Sequence, residues 1–165
     1  MVGLPSFTKL QKEYPDYVTK KSAQVLIDIG GKVQINNFAN TCAVRLSRTL
    51  NYNSLELPGP GKFGGLNVVS GSDKTWYAFR VSNLRDWLMH KIGKPTFDHS
   101  KKAGDPFDKA LLAKSKGIIG FDIDFNDATG HLDLWDGSDF TAEKAGGLTT
   151  DYWSSASRIW VWGAV

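Results

Sequence analysis

The chain has 165 residues, 41% of them hydrophobic and 22% charged, with 17 glycines and six prolines, a composition that excludes a disordered or fibrous protein. Its 20 basic and 17 acidic residues leave a net charge of +3 spread along the sequence, which points to solubility and no nucleic acid as a partner. A lone cysteine excludes an internal disulfide, no apolar run approaches the roughly 20 residues of a transmembrane segment, and residues 1–16 lack the pattern of a cleaved signal peptide.

These bounds predict a single domain, residues 1–165, made in the cytoplasm; work outside the cell would need export without a cleaved signal peptide. Pro5, Ser6 and Phe7, followed by Leu10, Tyr14 and Tyr17, predict a short helix capped by Ser6 and stopped near Pro15. Val25, Leu26 and Ile29 carry helical spacing over residues 22–29, and Gly30 and Gly31 end that helix and turn the chain toward Asn36. Residues 41–50 predict the next helix, with Asn40 as N-cap and Ala43, Leu46 and Leu50 on one face. Cys42, Arg45 and Thr49 fall on a neighbouring face, beside the core rather than in its centre.

Residues 51–72, rich in proline, glycine, asparagine and serine, read as a long surface loop that either borders a site or merely connects. Residues 76–81 alternate as a strand does, and Ser82 then caps a helix carrying Leu84, Trp87, Leu88 and Ile92, closed by Gly93 and Pro95. Residues 96–116 are polar and irregular apart from a short helix at Leu111 and Leu112. Residues 117–123 form an apolar strand, residues 126–130 a turn and residues 131–135 a second strand. Asp136-Gly137 then signals a hairpin and makes residues 138–143 a third strand. Residues 158–162 close the sheet. Helices first and then a mostly antiparallel sheet give an α+β fold with N-terminal helices packed on the sheet.

A cysteine in the first turn of a helix meets the positive end of the helix dipole and unpaired N–H groups, which favour a thiolate and could receive an oxyanion. Three histidines compete as its base. His90 lies on the solvent face of its helix and His99 in a polar loop, whereas His131 opens a strand after a glycine-ended turn, where an imidazole can be held rigidly. Asp122, Asp124, Asp127 and Asp133 superficially suggest a metal site, but strand spacing without a calcium-loop pattern makes them a solvated face, so no metal is expected. Trp153, Trp160 and Trp162 read as core rather than as a sugar-binding groove.

Residues 40–47 (Asn-Thr-Cys-Ala-Val-Arg-Leu-Ser), residues 79–95, Gly117-Ile118-Ile119 and residues 130–137 (Gly-His-Leu-Asp-Leu-Trp-Asp-Gly) resemble, in order and context, the fourth family of type VI secretion amidase effectors. The resemblance runs from about Pro5 to Trp162. It implies a papain-like fold of the NlpC type, with Cys42 as nucleophile and His131 as base, and no cofactor. The implied activity is an antibacterial cysteine amidase, a hydrolase cutting the peptidoglycan stem peptide between D-glutamate and meso-diaminopimelate. The implied partners are the type VI secretion apparatus, which would deliver the toxin into the periplasm of a recipient, and a cognate immunity protein guarding the producer.

The resemblance departs at Ala142, where the family carries an aspartate on the strand returning past the histidine. Asp133, Asp139 and Glu143 are the candidates left for the acid that orients His131, although a cysteine–histidine dyad also works. Asn36 stands at the offset from Cys42 where papain-like enzymes place an oxyanion donor, and an asparagine pair there equally suits a turn. Two other readings stay open: a non-catalytic module binding the cell wall or a partner, and a papain-like toxin acting on a protein amide.

Overall fold

The computed structural model describes residues 1–126 and 128–165. Four helices come first: α1 (Phe7–Glu13), α2 (Ser22–Ile29), α3 (Gly31–Asn36) and α4 (Cys42–Asn51). A two-stranded antiparallel ribbon of β1 (Val68–Ser70) and β2 (Trp76–Ala78) leads into α5 (Val81–Lys91). The main sheet follows: β3 (Phe97–Ser100), β4 (Gly117–Asp122), β5 (Gly130–Trp135) and β6 (Arg158–Gly163), in the spatial order β3-β6-β4-β5 and antiparallel throughout. Two short helices, α6 (Thr141–Ala145) and α7 (Tyr152–Ser155), lie between β5 and β6. This is the expected α+β plan, with the last strand inside the sheet and β5 at its edge.

Strand alternation gives the sheet two apolar faces. Ile118, Leu132, Leu134, Trp160 and Trp162 pack with Leu46 and Leu50 of α4 and Leu84 and Leu88 of α5. Ile119, Phe121, Trp135, Ile159 and Val161 pack on the other face with Phe140, Ala142 and Trp153. Trp160 and Trp162 are core, as their strand pattern predicts, and Trp153 is buried from α7. Gly120 sits where a Cβ would come within 2.7 Å of the Trp160 ring, and Gly130 where a Cβ would come within 2.2 Å of the Phe121 carbonyl oxygen. The glycine before His131 therefore lets the start of β5 close onto β4.

Helix α4 is buried along its length except at Arg48, and its other polar residues are covered. Ser47 Oγ donates to the Ala43 carbonyl at 2.8 Å and accepts from Ala78 N at 3.0 Å, and Thr49 Oγ1 donates to the Arg45 carbonyl at 3.1 Å. Such internal bonds make burial of hydroxyls affordable in a helix that must run through the centre of the molecule.

Several local expectations are corrected. Gly30, at φ 67°, ends α2 as expected, but Gly31 then begins α3 instead of a loop. Helix α5 begins at Val81 with Arg80 as N-cap, so Ser82 lies inside the helix and the strand before it stops at Ala78. Part of the irregular stretch 96–116 is β3, an edge strand whose mostly exposed side chains hide its alternation. Residues 138–143 form no third strand: only Trp135 and Phe140 bridge, and α6 starts at Thr141. Asp127 of the expected turn and of the four-aspartate group lies outside the described residues.

Candidate active site

Cys42 opens α4 with Thr41 at the N-cap position. Asn40 Oδ1 accepts from the Cys42 backbone N–H at 3.0 Å, so the expected capping side chain holds the helix start although it stands one residue earlier. The thiol is 1% exposed and belongs to the core cluster of the α4 face, deeper than the expected position beside the core.

His131 is 4% exposed on β5. Its Nε2 lies 2.9 Å from Asp133 Oδ2, two residues along the same strand and on the same face. Cys42 is the other group near enough to the imidazole to favour its charged form. Tyr17, Phe140 and Tyr152 surround the ring at centroid distances of 5.8, 5.8 and 5.2 Å. Cys42 and His131 come from cores on opposite faces of the sheet, and they meet because β5 is its edge strand.

Asp133 is fully buried and accepts four hydrogen bonds. Oδ2 takes His131 Nε2 and Ala142 N, both at 2.9 Å, and Oδ1 takes Leu134 N at 2.8 Å and Thr141 Oγ1 at 2.5 Å. Burial opposes its charge, yet these donors hold its carboxyl below the ordinary carboxylate value. Burial likewise opposes an imidazolium at His131, but the bonds to Asp133 and Cys42 and their charges outweigh it and push the ring up to about 9.

Among the three acids left open by the sequence, Asp133 alone meets the imidazole. Asp139 and Glu143 instead hold Lys109 Nζ at 2.9 and 3.0 Å, and Glu143 also accepts from Trp153 Nε1 at 2.8 Å. The expected register opposite His131 is absent as well, since Phe121 of β4 pairs with it and Ala142 turns its N–H onto Asp133. Asn36 is exposed at the end of α3, where its Nδ2 donates to the Lys32 carbonyl at 2.7 Å. Its amide is thus engaged within its own helix. His90 and His99 are exposed and away from Cys42, His99 on β3 rather than in a loop. Asp122 is bound to Arg85 at 3.2 Å, apart from Asp133.

A cleft of about 530 Å³ reaches His131, with Tyr17, Asn40, Thr41 and Tyr152 also in its walls. No residue of 51–72 lines it, and the long loop expected there is shorter, because residues 68–70 form β1. Tyr17, read from the sequence only as a packing residue, is fixed beneath the Arg45 guanidinium at 3.8 Å from its ring centroid. Arg45 is fully buried and donates to Thr41 Oγ1 at 3.0 Å, the Pro15 carbonyl at 2.6 Å and Ser22 Oγ at 3.4 Å. It thereby clamps the α1–α2 connection onto α4. Burial first, and then the charges of Cys42 and Asp133, hold the Tyr17 phenol well above its ordinary value, so it stays a neutral donor. Asn40 and Thr141 also acquire positions at the site that sequence assigned only as a cap or as part of a strand. The signal for Thr141 was weak, a hydroxyl eight residues after Asp133. A buried imidazole held by a buried carboxylate and close to a buried thiol can activate sulfur as a nucleophile.

Residues 38–162 match the family described as type VI secretion system amidase effector protein 4, Tae4. No relative is found among curated protein sequences. Among solved structures, the fold is similar to the Tae4 effector of the Tae4–Tai4 effector–immunity system from Salmonella typhimurium: TM-score 0.82, 26% identity, covering 99% of this chain and 100% of that one. It is similar also to the Tae4 effector from Enterobacter cloacae, with TM-score 0.79, 29% identity and 100% of both chains covered. The effector–immunity complex from Enterobacter cloacae gives TM-score 0.80 at 28% identity over 98% of this chain and 99% of that one.

Proposed function

The chain belongs to the family of type VI secretion amidase effectors, and from that premise we propose that Cys42, His131 and Asp133 cut a peptidoglycan stem-peptide amide by cysteine catalysis. The observation that carries this reading is the buried His131 imidazole held by Asp133 at 2.9 Å, with the buried Cys42 thiol near enough to favour its charged form. His131 takes the Cys42 proton or pairs with a thiolate already formed. The sulfur attacks the amide carbonyl carbon, and the resulting oxyanion collapses to expel the amine, which His131 protonates. Water, deprotonated by His131, then hydrolyses the thioester and frees the sulfur. The scheme draws on side chains, backbone and water alone.

The oxyanion meets the start of α4. Asn40 keeps Oδ1 on the Cys42 N–H, which leaves its Nδ2 as a donor in the cleft, the part first assigned to Asn36. An Asn40→Asp variant keeps an oxygen for the cap and loses that donor. Its kcat falls about a hundredfold while its melting temperature changes little; an unchanged kcat would remove Asn40 from the mechanism.

The bond is the amide between D-glutamate and meso-diaminopimelate, as the family resemblance implies. The protein acts in the periplasm of a recipient bacterium after delivery by the type VI apparatus, and a cognate immunity protein, as in the effector–immunity complexes of its relatives, protects the producer. No helix among the described residues is long and apolar enough to cross a membrane. Digestion of purified sacculi, then of the residual glycan with a muramidase, followed by mass analysis, should yield disaccharide carrying L-alanyl-D-glutamate. Fragments cut at another bond, or none, would exclude this substrate assignment.

A further inference from the structure

The cleft that reaches His131 is also lined by Lys20, Lys21 and Arg45, with no aspartate or glutamate lining it among the described residues. Two of the three cations are engaged. Lys20 forms an ion pair with Asp28, and Arg45 is spent on Thr41, Pro15, Ser22 and the Tyr17 ring. Lys21 is exposed, and its ammonium bonds to no described residue.

The placement of Lys21 is also locally unfavourable. It occupies the N-cap of α2, provides no side-chain capping bond, and sets a positive charge beside the positive end of a helix whose first turn holds no acidic residue. Serine, threonine, asparagine or aspartate would serve that position better. A residue that breaks the helix rules at the wall of a reactive cleft is expected where its charge has a use.

The proposed substrate supplies the complement. D-glutamate in the stem is joined through its γ-carboxyl, so its α-carboxylate stands free a few bonds from the reacting carbonyl. We propose that Lys21 pairs with a free carboxylate beside the scissile amide and so selects stem peptides with an unmodified D-glutamate over those bearing the α-carboxamide. This inference rests on the stem-peptide reading above.

The test compares two synthetic tetrapeptides that differ only at that group, L-Ala-γ-D-Glu-meso-diaminopimelate-D-Ala and its D-isoglutamine analogue. The wild-type protein should favour the carboxylate peptide about fivefold in kcat/KM, the scale of one partly exposed ion pair. The preference should shrink at high salt. Lys21→Gln should abolish the ratio by slowing cleavage of the carboxylate peptide alone, and Lys21→Arg should keep it. Equal cleavage of both peptides by the wild type, or an unaltered ratio in Lys21→Gln, overturns the role of Lys21 and leaves the stem-peptide reading intact. Cleavage of neither peptide overturns both.

Discussion

A Cys42→Ala variant releases no fragments from sacculi and no longer kills recipient cells, a loss of about 10⁴-fold or more in kcat/KM. No other described residue can replace it, because the chain has one cysteine and His131 acts only through the sulfur it activates. The variant still folds. Removing a buried sulfur from a site 1% exposed costs on the order of 1 kcal/mol, which for a chain of this size lowers Tm by about 2–4 °C. Comparison of sacculus digestion with a thermal melt separates the two effects. Residual digestion within tenfold of wild type would show that the chemistry does not pass through Cys42.

Asp133→Asn comes second, with an expected fall of about 10³–10⁴ in kcat/KM. The carboxamide keeps the shape but presents an N–H or a neutral oxygen to His131, so it neither fixes the tautomer nor stabilises the imidazolium. Asp139→Asn and Glu143→Gln serve as controls. Both residues hold Lys109 rather than the imidazole, so each should leave activity within about threefold, as partly exposed ion pairs do.

A pH profile gives an independent readout. His131 is raised from its ordinary 6.5 to about 9, so the imidazolium that protonates the leaving amine persists through neutral pH and is lost as pH passes about 9. Wild-type kcat should fall there, and in Asp133→Asn the fall should move toward 6.5. The stabilising effect of the imidazolium on the fold has the same sign: it is fully present below about 6.5 and lost as pH rises through about 9. Asp133, held below the ordinary carboxylate value, contributes stability at higher pH that is lost as pH falls through its depressed value. An alkaline limb that does not move in Asp133→Asn, or controls as damaged as that variant, would show that Asp133 is not the orienting acid.

Local patterns carried most of the architecture. Helix α2 follows from three apolar residues and a glycine stop, and the two elements that bear Cys42 and His131 follow from a cap and from alternation. The segment after β5 did not follow. Asp136-Gly137 makes a turn, with Asp136 Oδ1 accepting from Ser138 N and Asp139 N, both at 2.9 Å. Pairing beyond it fails because Asp133 draws in Thr141 and Ala142, and the chain coils into α6 around that carboxylate. A buried charge in need of donors thus overrides a hairpin signal, and the need is visible only once burial is known. Asn36 lies apart for a different reason. Gly30 and Gly31 suggest a turn running straight toward it, whereas residues 31–36 form α3, and Asn36, its last residue, gives its amide to the Lys32 carbonyl.

His131 and Asp133 sit two residues apart on one strand, so the backbone itself sets their spacing, whereas Cys42 reaches them from a separate helix. The base and its acid therefore travel as one rigid piece. The sulfur lies almost wholly covered. Any shift of α4 against β5 would change the reach from sulfur to imidazole and leave the spacing of imidazole and carboxylate as it is.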